Sequence, residues 1–392
     1  MKFRLLLISI LICSVMLFSM TAFAYTVGTE DAVTDGAEDV SEDVPEDASV
    51  DAAENASEEA ASEETASDGS PRSSFEYKKY SSHEMYRGIL RLKMPDVYRK
   101  LAPDLNDDET IPIPGTLATC ASSDGGILSD SYVPQGMCRA GSYWLVTAYD
   151  SGKEFPSVIY VVDPVEKQLV STLILPNTYH VGGIACDGTR IWLTGDTSDA
   201  YKGNPFVQYI RYDEFLDMIG ESVAEVTEDS ISENIYIKNK PSFLECEGGK
   251  LWVGTYIGTK GTKEGYAYGY TISDEEGESV LNTTMFSVIT AIDSSAQGMD
   301  IEDEYLYVSS SYKGSSPSIR SSFITKYQIG PIVNGAPYLY VGDRELKRVE
   351  VPKMNEEILV EDGLIHINFE SSANRWKNPV VRTDRILAVN IP

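Results

Sequence analysis

Cys138-Arg-Ala-Gly-Ser-Tyr-Trp144-Leu-Val and Cys246-Glu-Gly-Gly-Lys-Leu-Trp252-Val-Gly place similar residues at the same intervals. A third copy, Cys186-Asp-Gly-Thr-Arg-Ile-Trp192-Leu, has its glycine one place earlier. In all three copies tryptophan follows cysteine by six residues. Two weaker copies begin at Asp300 and Val360, and the five starting points are 48, 60, 54 and 60 residues apart. This recurrence predicts one structural unit repeated along the chain.

Each unit has the pattern of a small β-sheet. A turn with Gly or Asp is followed by short alternating segments that are rich in β-branched and aromatic residues. The predicted strands include Tyr143–Thr147, Ser157–Asp163, Gln168–Leu175, Phe206–Tyr212, Tyr266–Ile272, Ser322–Ile329 and Arg385–Ile391. Four strands per unit at this spacing are typical of a β-propeller. We therefore predict an all-β fold, a five-bladed β-propeller over residues 131–392, with the tryptophans packed between neighbouring blades.

The last blade needs an outer strand from elsewhere, because its own sequence ends at Pro392 after a third strand. We expect this strand to come from residues 73–130, within Glu109–Thr119, after a helical stretch at His83–Leu101. A six-bladed ring with a degenerate blade in Phe75–Ser131 stays open as an alternative.

The N-terminal residues predict export. A basic start, an apolar run and Ala22-Phe23-Ala24 are typical of a signal peptide over residues 1–24. Residues 25–72 then form an acidic segment, in which Tyr25–Ser70 holds 16 acidic and no basic residues. Such a composition predicts a disordered linker. It accounts for about half of the net charge of −29, so the remaining chain is moderately acidic.

Charge and compartment limit the partners. The acidity argues against nucleic acid and against an anionic membrane surface, because both need Lys and Arg. We expect a secreted or cell-surface bacterial protein, monomeric, with no membrane span after signal cleavage. In such a compartment four cysteines could form disulfides, but Cys138, Cys186 and Cys246 recur in successive blades, too far apart to pair. We predict buried free thiols there, which leaves only Cys120 free to find a partner.

The motifs also carry a resemblance. Val133-Pro-Gln-Gly-Met137, His180-Val-Gly-Gly-Ile184, Ala296-Gln-Gly-Met299 and Phe369-Glu-Ser-Ser-Ala373 are similar to motifs of a group of secreted bacterial β-propeller proteins of undefined function. The resemblance covers residues 131–392. It implies the propeller fold and an extracellular location, and it assigns no catalytic residue.

Candidate ligand-binding residues lie just before each repeat, where the inner strands begin. They are Gln135, His180, Ser242, Gln297 and Glu357. Gln135 and Gln297 share a Gln-Gly-Met context and suit a sugar hydroxyl, a metal or backbone across blades. His180, before two glycines, is the one candidate for a catalytic base.

A second set follows the second strands, whose loops lie at the same end of a propeller. Tyr149, Asp150 and Glu370 are candidate ligand contacts, and Asp150 and Asp196 are candidate Ca²⁺ ligands. No residue set predicts a catalytic metal or another cofactor; Ca²⁺ is the one ion that these carboxylates suit.

Two functions fit these residues. The first is a non-enzymatic module that binds an extracellular or cell-envelope glycan, or a protein, through loop tyrosines. The alternative is a hydrolase or lyase that acts on polysaccharide or phosphoester through His180 and channel carboxylates. Motifs of P-loop, GxSxG, HExxH and EF-hand type are missing from the sequence, which favours the binding module.

Overall fold

The computed structural model describes residues 79–114, 119–120, 128–195, 204–258, 264–275, 279–312, 322–330, 338–376 and 379–391. The predicted signal peptide and acidic linker lie outside these ranges and stay predictions. The side chain of Cys120 lies outside them as well. Within the described ranges, no helix is long and apolar enough to cross a membrane.

Five antiparallel sheets form the five blades of a β-propeller, numbered here in chain order. Blade one contains Tyr132–Ala140, Tyr143–Asp150, Val158–Asp163 and Gln168–Ile174, and blade two Ile184–Cys186, Arg190–Thr194, Phe206–Arg211 and Ile235–Tyr236. Blade three contains Phe243–Glu247, Lys250–Gly254, Gly265–Ile272 and Leu281–Ile292, and blade four Ala296–Glu302, Tyr305–Ser310, Ser322–Gln328 and Glu345–Val351. Blade five contains Asn355–Glu361, Leu364–Phe369 and Arg385–Val389, completed by Leu105–Pro112. The first strand of each blade is the inner one, and these five strands contact each other in turn around a closed ring.

Smaller strands and helices are added to the blades. Val223–Glu225 and Tyr338–Tyr340 add parallel strands to the outer edges of blades one and three. Thr119–Cys120 pairs with Leu128–Ser129. The helices are His83–Lys93, Pro95–Leu101, Tyr212–Met218 and the 3₁₀ turn Glu228–Ser230.

The N-terminal strand closes the ring, and the six-bladed alternative is wrong. Leu105–Pro112 runs antiparallel to the third strand of blade five, with Leu105 opposite Val389 and Pro112 opposite Arg385. The strand begins four residues earlier than the expected Glu109 and ends at Pro112. A proline lacks the N–H that a ladder needs, so it suits the end of an edge strand.

A buried ion pair fastens the first helix to blade five. Asp384 and Arg385 have fully buried side chains, and Arg385 Nε donates to Asp384 Oδ1 at 2.8 Å. Arg385 also donates to the Tyr80 carbonyl oxygen at 2.9 Å and lies over the Tyr86 ring, 4.6 Å from its centroid. Asp384 Oδ2 accepts from the backbone N–H of Tyr80 at 3.0 Å. These contacts place the chain before the closing strand against the last blade.

Blade one is out of register with the repeat by one residue. Its two-residue turn follows Ala140, so Trp144 lies opposite Arg139. In blade three the turn follows Glu247, and Trp252 lies opposite Glu245. Counted from the turn, Trp144 is therefore one position earlier than Trp252. Aligning the motifs of blades one and three residue by residue in sequence therefore does not align them in the structure.

The shift reverses the direction of the side chains, because successive residues of a strand point to opposite faces. Trp144 faces blade five: its Nε1 donates to Glu361 at 2.7 Å and its ring lies 4.4 Å from that of His366. Trp192 and Trp252 instead pack against the next blade in chain order, as members of the clusters that join blades two and three and blades three and four. All three tryptophans lie between blades, as expected.

Blade four shows a second alignment error. Ile301 lies opposite Leu306, as Cys246 lies opposite Leu251, so the repeat there begins at Ile301 and the prediction of Asp300 is wrong by one residue. Tyr307 takes the place of tryptophan. A β-bulge between Ala296 and Gly298 accompanies the change.

The three described cysteines are free thiols. Cys138 is buried, whereas Cys186 and Cys246 are half-buried. Because blade one is shifted, Cys138 is not equivalent to the other two: it packs in the same cluster as Cys186, between blades one and two. Burial raises the pKa of the Cys138 thiol well above its ordinary value, which keeps it protonated.

Candidate functional site

The inner strands begin, and the second strands end, at one end of the ring. We call this end the mouth and define it by seven side chains: Tyr149, His180, Tyr256, Gln297, Glu356, Glu370 and Arg375. They come from every blade or from the connection before it. The sequence had suggested four of them, Tyr149, His180, Gln297 and Glu370.

Tyr149 contacts two groups, Arg375 and His180, on one side of the mouth. Its side chain is 5% exposed, and its hydroxyl accepts from Arg375 Nη1 at 2.7 Å. The ring centroid of His180, an exposed residue, lies 4.3 Å away. Burial raises the pKa of Tyr149 to about 12, against the lowering effect of Arg375. The phenol therefore stays neutral and supports both neighbours.

Two buried carboxylates lie among the tyrosines. Glu356 and Glu370 are 4% and 3% exposed, and each influences the pKa of both Tyr149 and Tyr256. Tyr149 belongs to blade one and Tyr256 to the loop of blade three, so the two carboxylates influence tyrosines of two different blades. Gln297 Nε2 donates to Glu356 Oε1 at 3.2 Å. Burial is the main reason that the pKa of Tyr256 is raised, and the two carboxylates add to it.

Further aromatic groups surround this centre. The Arg375 guanidinium lies 5.1 Å from the centroid of the half-buried Trp376 ring. Tyr312 donates its hydroxyl to Asp293 at 3.1 Å and, like the carboxylates, is close enough to Tyr256 to raise its pKa. The mouth thus combines ring surfaces with hydrogen-bonding groups.

Backbone strain occurs at two connections between blades that lead into the mouth. Val181 has φ 43° and Met354 has φ 67°, both in the left-handed region. This region is rare for a β-branched residue such as valine. The Val181 carbonyl accepts from Thr147 Oγ1 at 2.8 Å, which holds the strained residue that follows His180. Strain of this kind is frequent at ligand sites.

Glycines let the inner strands approach closely below the mouth. A Cβ built on Gly136 would lie 2.9 Å from the Ile184 backbone nitrogen, and one on Gly183 would lie 2.6 Å from that of Leu244. Real Cβ atoms essentially never come closer than 3.0 Å. Gly136 and Gly183 belong to two of the motifs that carry the resemblance. The close packing of blades one, two and three explains why glycine is needed at both positions.

Three predicted ligand residues have structural contacts instead. Gln135 is 3% exposed and its Nε2 donates to the carbonyl of Pro134. Asp150 accepts from Ser129 Oγ at 3.0 Å and from the Glu154 N–H at 2.9 Å, which fixes its own loop. Glu357 is 1% exposed and bonds the inner strand of blade four. These contacts hold a loop and the inner strands in place, and the ligand role of the three residues stays a prediction.

The remaining predictions differ in outcome. Ser242 Oγ accepts from the Tyr256 N–H at 3.0 Å, so it supports a mouth residue. Asp196 lies outside the described residues. Among the residues that the structure describes, no group of three His, Cys, Asp or Glu side chains could hold a metal ion. The mouth residues that the sequence did not single out are Tyr256, Glu356 and Arg375.

Comparisons with known proteins add distant likenesses of fold. No family model and no curated protein sequence matches the chain. The glutaminyl cyclase of Myxococcus xanthus is 12% identical with a TM-score of 0.36, over 67% of this chain and 93% of that one. Hydrazine synthase of Kuenenia stuttgartiensis is 12% identical with a TM-score of 0.33; the match covers 63% of this chain and only 58% of that chain. The computationally designed Ika4 protein is 7% identical with a TM-score of 0.27, over 57% of this chain and 99% of that chain. At these scores the likenesses carry no functional argument, and the five blades rest on the strand pairing.

Proposed function

We propose that the protein is an exported binding module that takes an extracellular glycan at the mouth. The observation that carries the proposal is the convergence of Tyr149, Tyr256, Glu356, Glu370 and Arg375 from blades one, three and five on one end of the ring. Export rests on the predicted signal peptide over residues 1–24.

The chemistry of the mouth suits a sugar. The C–H face of a pyranose ring packs on aromatic side chains, and its hydroxyls need groups that donate and accept. The exposed His180 and the half-buried Trp376 offer ring surfaces on one side, and Tyr149 supports them from below. Glu356 and Gln297 offer an acceptor and an amide on the other. A pocket of ring surfaces with few fixed polar groups is the usual form of a small-ligand site.

Substitution Arg375→Ala should weaken glycan binding by roughly tenfold. The guanidinium orients the Tyr149 hydroxyl, and a hydrogen bond to a charged group is worth about 1.5–3 kcal/mol. A glycan array on the full secreted chain first identifies the sugar, and calorimetric titration then compares the variants. Arg348→Ala is the matched control, because Arg348 also lies near an aromatic ring, 5.4 Å from the Phe323 centroid, but on blade four. Equal affinities of the two variants, or an array without a saturable ligand, contradict the proposal.

A second candidate is a glycan hydrolase or lyase, which the two buried carboxylates of the mouth favour. One carboxyl group could act as acid and the other as base, and His180 lies against Tyr149, whose pKa both carboxylates raise. If so, Glu370→Gln should lower the release of products from a polysaccharide panel by about 10²-fold or more, whereas Glu304→Gln, at the exposed turn of blade four, should not. Undiminished turnover of His180→Ala would remove the histidine from the mechanism. If the wild-type chain shows no turnover, the enzyme candidate is excluded and the binding module remains the proposed function.

A further inference from the structure

Two carboxyl groups connect the inner strands of blades four and five in both directions. Asp300, on blade four, accepts at Oδ2 from the backbone N–H of Val360 at 2.8 Å. Glu357, on blade five, accepts at Oε1 from the backbone N–H of Met299 at 2.8 Å and from that of Ile358 at 3.1 Å. The two strands belong to different sheets, so these side chains supply hydrogen bonds that no backbone ladder provides.

The pair of carboxyl groups Asp300 and Glu357, here called the clamp, is buried and closely packed. Asp300 is 6% exposed and Glu357 is 1% exposed. A Cβ at Gly298 would lie 2.1 Å from Glu357 Oε1, so the glycine is what lets this carboxyl group reach the neighbouring strand. The Oε2 atom of Glu357 is buried without a hydrogen-bond partner among the described residues. An ionised oxygen in that position is more costly than a protonated one.

The titratable neighbours that influence the two carboxyl groups are themselves acidic. Glu245, half-buried on the inner strand of blade three, raises the pKa of Glu357, and its own pKa is raised by Asp300. Glu247 of the same strand and Glu302 of blade four also influence Asp300. The other titratable neighbours are the thiols Cys138 and Cys246 and the phenol Tyr307. None of these groups brings a positive charge.

We propose that Asp300 and Glu357 form a proton-binding site that locks the inner strands of blades four and five together. Bound protons let the two carboxyl groups share a buried space. Their loss places like charges side by side and weakens the cross-blade hydrogen bonds. The clamp is therefore a pH-dependent lock between two inner strands, and it is separate from the mouth.

The direction of the pH effect follows from the pKa values. Burial raises the pKa of Asp300 from 3.8 to about 7, and raises those of Glu245 and Glu357 well above 4.5. The folded chain thus holds more protons than the unfolded chain between about pH 4 and pH 7 or above. The free energy of unfolding must fall as the pH rises through this window, and the loss is complete above the folded pKa values.

Thermal unfolding of the full chain at a series of pH values tests the lock. Between pH 5 and pH 9 we expect the Tm of the wild type to fall by roughly 5–10 °C more than that of Asp300→Asn. Asparagine keeps an oxygen for the Val360 N–H and stays neutral. Glu304→Gln, which removes an exposed carboxyl group of the same blade, is the matched control and should follow the wild type. Parallel curves for the wild type and Asp300→Asn overturn the proposal.

If Asp300→Asn does not fold, infrared difference spectroscopy of the wild-type chain tests the same proposal without a variant. At pH 6 the carbonyl stretch of protonated carboxyl groups should be present and should disappear as the pH rises to 9. Its absence at pH 6 shows that Asp300 and Glu357 are already ionised and excludes the proton-binding site.

Discussion

Arg385→Met should lower the free energy of unfolding by about 3–5 kcal/mol, the usual cost of removing one member of a buried ion pair. The substitution leaves the Asp384 carboxylate without its partner in a fully buried position. It also removes the hydrogen bond to Tyr80 and the contact with the Tyr86 ring. Chemical denaturation, followed by tryptophan fluorescence, measures the change.

Arg211→Met is the matched control, because Arg211 forms its ion pair with Asp213 at an exposed position. We expect no measurable change there, since exposed pairs contribute little. The double variant Asp384→Asn, Arg385→Met should recover part of the loss by removing the uncompensated charge. A single variant as stable as the control would mean that the helix is held on blade five by apolar contacts alone.

Trp192→Ala should lower the free energy of unfolding by about 3–5 kcal/mol, because it empties a large buried volume between blades two and three. Trp192 is fully buried. Its Nε1 donates to Asp187 Oδ2 at 2.8 Å, and its ring packs edge-on against Tyr209 at 5.1 Å. The loss is a large share of a typical stability of about 5–15 kcal/mol. Denaturant titration gives the value.

Trp376→Ala provides the comparison within the same chain. Trp376 is half-buried at the mouth and packs against the small cluster of Val133, Tyr149 and Ala373 rather than in the clusters that contain Trp192 and Trp252. The variant should unfold close to the wild-type midpoint while losing affinity for a glycan. If both tryptophan variants lose equal stability, the packing between blades two and three does not depend on Trp192 in the way described.

The five blades could be predicted from sequence because each one repeats a turn and its flanking strands. The register of blade one could not. The six-residue interval from Cys138 to Trp144 equals that from Cys246 to Trp252, so the interval carries no information about the turn. Only the strand pairing shows that the turn of blade one is displaced by one residue, which sends Trp144 to the opposite face.

The mouth was predicted in part. Tyr149, His180 and Glu370 follow from the rule that loops after second strands and starts of inner strands share one end of a propeller. Glu356 and Glu357 are neighbours in sequence, and a β-bulge between Asn355 and Ile358 decides which of them turns toward the mouth. Sequence periodicity cannot locate a bulge of this kind. Arg375 belongs to a loop without a repeated pattern.

The closing strand also sets the order in which the molecule can form. Leu105–Pro112 is synthesised before any blade, yet its partner strand Arg385–Val389 is synthesised only after the other strands of the propeller. Tyr80 and Arg385, which join beside it, are 305 residues apart. Contacts of such high sequence separation slow folding, because the loop must close before the contacts stabilise it. The first strand therefore remains without its partner until the entire propeller sequence has been made, and completion of the ring is a late event.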